Sequence, residues 1–345
     1  MMPLSTRFSA GERRAVPPVL WAGLLLAAAL VAAVLTGPFA LSPGRILELA
    51  AARIAGQETP GAEAAVLFGI RLPRVAAAAL AGAALATAGA AYQVTFRNPL
   101  VSPDILGVSA GAGLGAVLGI FLGLPVLAIQ GLSFGFGLAT VALVMAVAAA
   151  MGGRGETLTL VLCGMAIGAL AGAGIALMKA LADPDDQLPA MTFWLLGSLA
   201  GIRPGDVLLA LPPMLAGLVP LVLLRWRTGL LAMGEDEARA LGIETGRLRW
   251  MVIASATLIT AAAVAAAGTI GWIGLMVPHM ARLLAGSRFD RVLPVALLLG
   301  AALMVAIDTA ARSLAATELP LGVLTAAIGA PVFLVLLARR GRGWS

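Results

Sequence analysis

The chain has one cysteine, one histidine and one tyrosine in 345 residues, and only 12% of its residues carry charge. The lone cysteine, Cys163, sits in an apolar run, which excludes an internal disulfide and a cysteine metal cluster. A single histidine, His279, and no paired acids within the apolar stretches leave no acid–base or metal constellation, which argues against an integral-membrane enzyme. No Gly-rich loop runs into Lys-Ser or Lys-Thr, so the chain cannot cradle nucleotide phosphates and hydrolyse ATP itself. A soluble domain carries about 25% charged residues, so a water-soluble globule is excluded too.

What is abundant is apolar and small: 61% hydrophobic residues and 42 glycines. In lipid, small residues let helices approach closely, and each helix satisfies its own backbone. The chain therefore reads as an all-α polytopic membrane protein. The net charge of +6 has no soluble basic domain to carry it, which removes nucleic acid as a partner and assigns the basic residues to inner loops.

Apolar segments fall at 18–36, 64–92, 105–123, 126–151, 157–180, 206–224, 249–268, 273–285, 292–312 and 321–338, giving about ten spans. A crossing takes about 20 residues, so 273–285 is too short to cross alone, and 191–201 suits a re-entrant or surface helix. Arg13 and Arg14 precede the stretch from Val19 to Leu35, which exceeds the apolar core of about 7–15 residues in a cleaved signal and reads as a retained first span. The predicted organisation is an inner segment 1–17, one transmembrane domain 18–338 and an inner tail 339–345. With both ends inside, only Arg45, Arg53, Arg71, Arg74, Lys179, Arg203 and Arg312 of the 23 Lys+Arg fall outside, together with the acids Asp183, Asp185 and Asp186. That bias satisfies the positive-inside rule.

Two arginine–proline motifs, Arg71-Leu72-Pro73-Arg74 and Arg97-Asn98-Pro99-Leu100, bracket the uncharged run Val75 to Val94. Recognition at both ends of one span points to a transporter. Pro73 suits a first helical turn, which leaves its missing donor unneeded. Arg312 falls on the same outer side, shortly before Glu318-Leu319-Pro320. The residues alone leave open whether these arginines snorkel to lipid headgroups or meet an acidic partner. Asp308, four residues before Arg312, is placed for an intrahelical pair. Residues 230–242, LLAMGEDEARALG, predict a short polar helix with its acids near the positive dipole end, which as such could be a plain solvated loop helix. His279 follows Pro278 and the glycines Gly268, Gly271 and Gly274, where a ring nitrogen serves a freed backbone carbonyl better than it serves a haem or metal. A secondary transporter driven by an ion gradient and carrying a small hydrophobic solute is the alternative, disfavoured because Asp308 is nearly the only ionisable residue expected within the spans.

Several long motifs occur in order: LRLPR near 70, FRNPLVSPDILGVSAGAG from Phe96, TFWLLGSLAG from Thr192, LGI near 241, GTIGWIGLMVPHMARLL from Gly268, and DTAARSLAATELPLGVLTAAIGAPVF from Asp308. Through them the chain resembles, over residues 18–338, the FecCD-type permeases, membrane subunits of ABC importers for ferric siderophores, haem and cobalamin. The resemblance implies the type II importer fold in a bacterial inner membrane. It further implies a homodimer, two ATPase subunits that bind ATP and Mg, a periplasmic substrate-binding protein, and no cofactor in this chain. Residue by residue, it implies that Arg71, Arg74 and Arg312 dock acidic side chains of the binding protein. Gly234, Glu237, Ala238, Leu241 and Gly242 then belong to a coupling helix seated in an ATPase groove. Asn98, Leu100 and Thr157 close the cytoplasmic end of the pathway, although Leu158 stands where related chains often carry a small polar residue.

Overall fold

The computed structural model describes residues 17–151, 157–315 and 317–340. Among these, the chain folds into helices alone: α1 (Pro18–Leu35), α2 (Pro43–Ile54), α3 (Ala62–Ala64), α4 (Leu72–Thr95), α5 (Val108–Phe121), α6 (Val126–Ala150), α7 (Thr157–Leu181), α8 (Gln187–Leu196), α9 (Pro204–Leu223), α10 (Arg225–Leu230), α11 (Glu235–Ala240), α12 (Thr245–Ala267), α13 (Ile273–Ala285), α14 (Phe289–Ala311) and α15 (Leu321–Arg340). A π-helical turn, Ala65–Arg71, joins α3 to α4, and a 3-10 turn, Pro103–Leu106, precedes α5. Each of the ten expected apolar segments is helical over most of its length, and α8 supplies the short helix expected near 191–201 but ends at Leu196, with 197–201 non-helical. Seven helical stretches are long and apolar enough to cross a membrane, while α5, α13 and the apolar part of α15 are shorter. The expected N-terminal segment, except Pro17, and residues 341–345 of the tail lie outside the described residues, as does Arg154.

The centre of the molecule is α4, with 83% of its apolar window buried. It packs against α14, α12, α13 and α9. Its run of Ala and Gly explains why: backbones meet where side chains are absent. A Cβ on Gly82 would fall 2.1 Å from the Gly300 carbonyl oxygen of α14, and one on Gly89 would fall 1.8 Å from that of Gly274 in α13. No other residue type fits either contact. In contrast, the apolar windows of α1, α7 and α9 are only 11%, 22% and 17% buried, leaving broad apolar faces for lipid or another chain.

At the N-terminal end of α4 a second, smaller core forms, which the sequence did not announce. Leu49 of α2 packs with Leu41, Ala64 and Leu67. Arg45 ties α2 to α3 through Glu63 at 2.6 Å, and also meets Glu48 at 3.0 Å. The Ser42 hydroxyl caps α2 by accepting from the Arg45 backbone N–H at 3.2 Å. At the opposite end of α4 lie the 97–100 turn and the short helices α10 and α11.

Candidate functional site

At the α2 end, the structure brings Arg71, Arg74 and Arg312 into one cluster. All three are buried, at 3%, 5% and 9% exposure. Each already has partners within the subunit. Helix α1 ends at Leu35 and leaves its last carbonyls without intrahelical donors. Arg71 donates to the carbonyls of Val34 and Phe39, both at 2.7 Å. Arg312 donates to those of Thr36, at 2.6 Å, and Ala33. Positive charge at a helix C-terminus also suits the dipole. Gly37 makes room for both forks, since a Cβ there would lie 2.6 Å from Arg71 Nη2 and 3.1 Å from Arg312 Nη1.

Arg74 takes the acids. Its Nε donates to Asp308 Oδ1 at 3.0 Å and Oδ2 at 3.2 Å, and its Nη1 to Glu318 at 2.6 Å. The expected Asp308–Arg312 pair exists at 3.7 Å but is the weaker of the two that Asp308 makes. Three guanidiniums and two carboxylates thus share this cluster, an excess of one positive charge within it. Glu318 is the partly exposed member, with 42% of its side chain accessible.

At the other end, the polar helix expected over 230–242 is confined to α11. Its anchor is Glu235, whose carboxylate accepts from Arg249 of α12 and from Arg239 at 2.7 Å. The hydrogen bond from Arg249 comes first among the influences holding the Glu235 carboxyl below its ordinary range. Gly234 has φ +128, and Glu237 folds back over it. Gly242, at φ +79, ends the helix: its N–H reaches the Arg239 carbonyl at 2.9 Å, and the Ile243 N–H reaches that of Ala238 at 3.0 Å. Ala238 is fully buried within the subunit, so it packs inward and is not offered to a partner chain. That placement corrects its expected groove contact. The apolar groups presented outward are Met233 (57% exposed) and Leu241 (59%). Leu241 and Gly242 border a groove of about 600 Å³ that also takes in Trp226, Arg227 and Arg247.

The 97–100 turn lies at this same end. Asn98 Oδ1 accepts from the Leu100 N–H at 2.9 Å, the local bond expected of an Asn in such a turn. Leu100 is exposed, Thr157 opens α7 half-buried, and Leu158 beside it is exposed. Asn98 therefore spends its side chain on the turn, not on Thr157.

His279 is 2% exposed, with Nδ1 2.9 Å from the Leu275 carbonyl and its ring edge-on to Phe333. The carbonyl that Pro278 deprives of a donor, on Gly274, receives Gln93 Nε2 at 3.5 Å, and the Gln93 oxygen accepts from Arg282 at 2.5 Å. No group of three or more His, Cys, Asp and Glu that could hold a metal occurs among the described residues. Sequence reasoning missed Gln93 and Arg282, and it missed Asp104, an exposed acid in the 3-10 turn whose carboxylate accepts from Ser109.

Comparison with known proteins gives this geometry a context. The model of the FecCD transport family matches residues 25–339. The molybdate import system permease protein MolB of Haemophilus influenzae is 38% identical over 320 residues, 93% of this chain and 95% of the relative. The cobalamin import system permease protein BtuC of Halobacterium salinarum is 42% identical over 272 residues, 79% of this chain and 73% of the relative. The Fe(3+)-citrate import system permease protein YfmE of Bacillus subtilis is 40% identical over 279 residues, 79% and 81% of the two chains. Among solved structures, an inward-facing ABC transporter assigned to the metal-chelate type matches with a TM-score of 0.84 at 36% identity, covering 93% of this chain and 98% of the other. A helical scaffold built around a polar-ended central span, matched end to end by importer permeases, leaves one conclusion: the chain belongs to the FecCD transport family and is a membrane permease of the ABC-importer class, not an enzyme.

Proposed function

We propose that two copies of this chain form the translocation unit of an importer for a metal chelate, such as a ferric siderophore or haem, in a bacterial inner membrane. Two separate ATPase subunits bind ATP and Mg and engage the α11 end, which is cytoplasmic with both termini. A periplasmic binding protein delivers cargo to the arginine end. The observation that carries this reading is the end-to-end likeness to an ABC transporter of the metal-chelate type.

The geometry supports each part. The apolar faces of α7 and α15 need a cover, which a second copy supplies. Leu241, Met233 and the groove beside Trp226 offer an apolar foothold for an ATPase, while Glu235 fixes α11 to α12 so that movement of one moves the other. At the arginine end, a carboxylate of the binding protein would displace neutral α1 carbonyls from Arg71 or Arg312. The exchange favours the carboxylate, because an opposite charge adds Coulomb attraction and a planar two-bond fit to the guanidinium fork that a neutral carbonyl lacks. Docking would thus loosen the end of α1. At the cytoplasmic end, Leu100 and Leu158 are the exposed groups placed to close the path, with Asn98 shaping the turn and Thr157 starting the helix.

The match to a molybdate permease over 93% of this chain favours a second reading, import of an oxyanion. Reconstitution with the ATPase and binding protein separates the two. ATP-driven uptake of ferric siderophore, haem or cobalamin supports the chelate reading. Uptake of molybdate alone sinks it, and a permease that transports with no companion ATPase sinks the importer reading altogether.

A further inference from the structure

We infer that Asp104 lines the aqueous pathway near the middle of the membrane and selects against anionic cargo. The inference rests on the permease reading above and deepens it, because it bears on which substrate class can pass.

The depth of Asp104 follows from what surrounds its turn. Gly274 of α13 packs against both Pro103 and Leu85 of α4: a Gly274 Cβ would lie 2.6 Å from the proline ring and 2.9 Å from the Leu85 carbonyl. On the other side, Gly107 approaches Thr140 of α6 and Gly164 and Gly168 of α7. Leu85, Thr140 and Gly164 sit several turns inside their helices, which end at Thr95 and Ala150 and start at Thr157. At a rise of about 1.5 Å per residue, the turn lies roughly 10–15 Å from those ends. Asp104 is nevertheless exposed, and its hydrogen bond to the Ser109 hydroxyl is exposed with it.

Two physical arguments then fix what it faces. An acid at this depth is tolerated where it meets water or a partner group, not hydrocarbon. Non-helical backbone at membrane depth is likewise confined to places buried in protein or lining a water-filled cavity. Residues 102–107 break the helical path, with Gly107 in the left-handed region at φ +77, and the break brings the carboxylate to the surface of the isolated chain. Because Gly107 of this turn packs against α7, whose Leu158, Leu162 and Met165 are also exposed, the exposed carboxylate is assigned to the cavity between subunits. In a homodimer it occurs twice. Two carboxylates flanking one low-dielectric path favour a neutral or cationic metal complex and oppose a free dianion such as molybdate.

Cys163 is the chain's only cysteine, so replacing it gives a clean background for thiol chemistry. In Cys163→Ser permease assembled with its ATPase in proteoliposomes, Asp104→Cys and, separately, Ser109→Cys are treated with membrane-impermeant thiosulfonates, one cationic and one anionic. Rates are normalised to those of a free thiol in solution. Asp104→Cys is expected to react in at least one nucleotide state. Ser109→Cys is expected to prefer the cationic reagent by about tenfold, and Asp104→Asn to abolish that preference. Lack of reaction of Asp104→Cys in every nucleotide state overturns the inference, as does a cationic preference at Ser109→Cys that survives Asp104→Asn. Failure of the parent permease to bind an ATPase would instead refute the importer reading, and co-purification scores that separately.

Discussion

Neutralising Asp308 tests whether the arginine end is held together by charge. The Arg74 and Asp308 side chains are 6% and 1% exposed, and Arg74 Nε sits within 3.2 Å of both carboxylate oxygens. Removing one partner of a buried pair typically costs about 3–5 kcal/mol, because the other is left charged and poorly solvated. Two features set the expected value for Asp308→Asn at the low end, about 3 kcal/mol. Asn keeps one acceptor for Arg74, and Glu318 remains 2.6 Å from Nη1. Against that, Arg312 also loses its 3.7 Å neighbour. Unfolding in mixed micelles, run as a cycle with Arg74→Met, isolates the pair, and a coupling of at least about 1.5 kcal/mol is expected for contacting charged residues. The same variant, with more positive charge at this end, should bind an acidic binding protein more tightly. A change in stability below about 0.5 kcal/mol, the range of ordinary surface substitutions, would refute the buried lock.

Four further outcomes follow from the packing and the anchor of α11. Gly89→Ala gains up to about 1 kcal/mol of helix propensity, yet its Cβ would lie 1.8 Å from the Gly274 oxygen, so net destabilisation is expected in thermal unfolding. Gly131→Ala, with nothing within 4 Å of its Cβ, should be neutral or stabilising. Gly242→Val should disorder the end of α11 through its φ of +79, read as faster amide exchange at 239–243, with binding-protein docking unchanged. Glu235 has its carboxyl held down by Arg249, so its contribution is complete above the ordinary carboxylate range and is lost as pH falls through the lowered value. Amide exchange in α11 should therefore rise only in acid, and Glu235→Gln should remove that dependence.

Most of the spans were legible as long apolar stretches, and membrane helices need little else to be seen. What escaped was short or relational. Helix α2 is twelve residues long and carries Arg45, Glu48 and Arg53, so its small core with Leu41 and Leu67 has no apolar run to announce it. The positions of Arg71, Arg74 and Arg312 were readable, but their partners were not: Arg312 meets carbonyls some 276 residues earlier in the chain. Ala238 was assigned a groove contact through the family resemblance, yet one small residue on a six-residue helix says nothing about which side is packed. Asp104 went unnoticed because Ser102-Pro103-Asp104 reads as an ordinary turn, and only the placement of Pro103 against Gly274 reveals its depth.

The long separation of these partners has a consequence for biogenesis. Arg74 leaves the ribosome 234 residues ahead of Asp308. At about 5–20 residues per second, α4 waits roughly 12–47 s for that acid. Throughout that interval the central helix stands in the bilayer with a bare Ala/Gly flank and an unanswered guanidinium, while its main neighbours α12, α13 and α14 have yet to be made. Chains stalled before residue 308 should therefore be held by an insertase or degraded, and crosslinking of arrested chains from within α4 would show the helix passing from such a caretaker to α14 as synthesis ends.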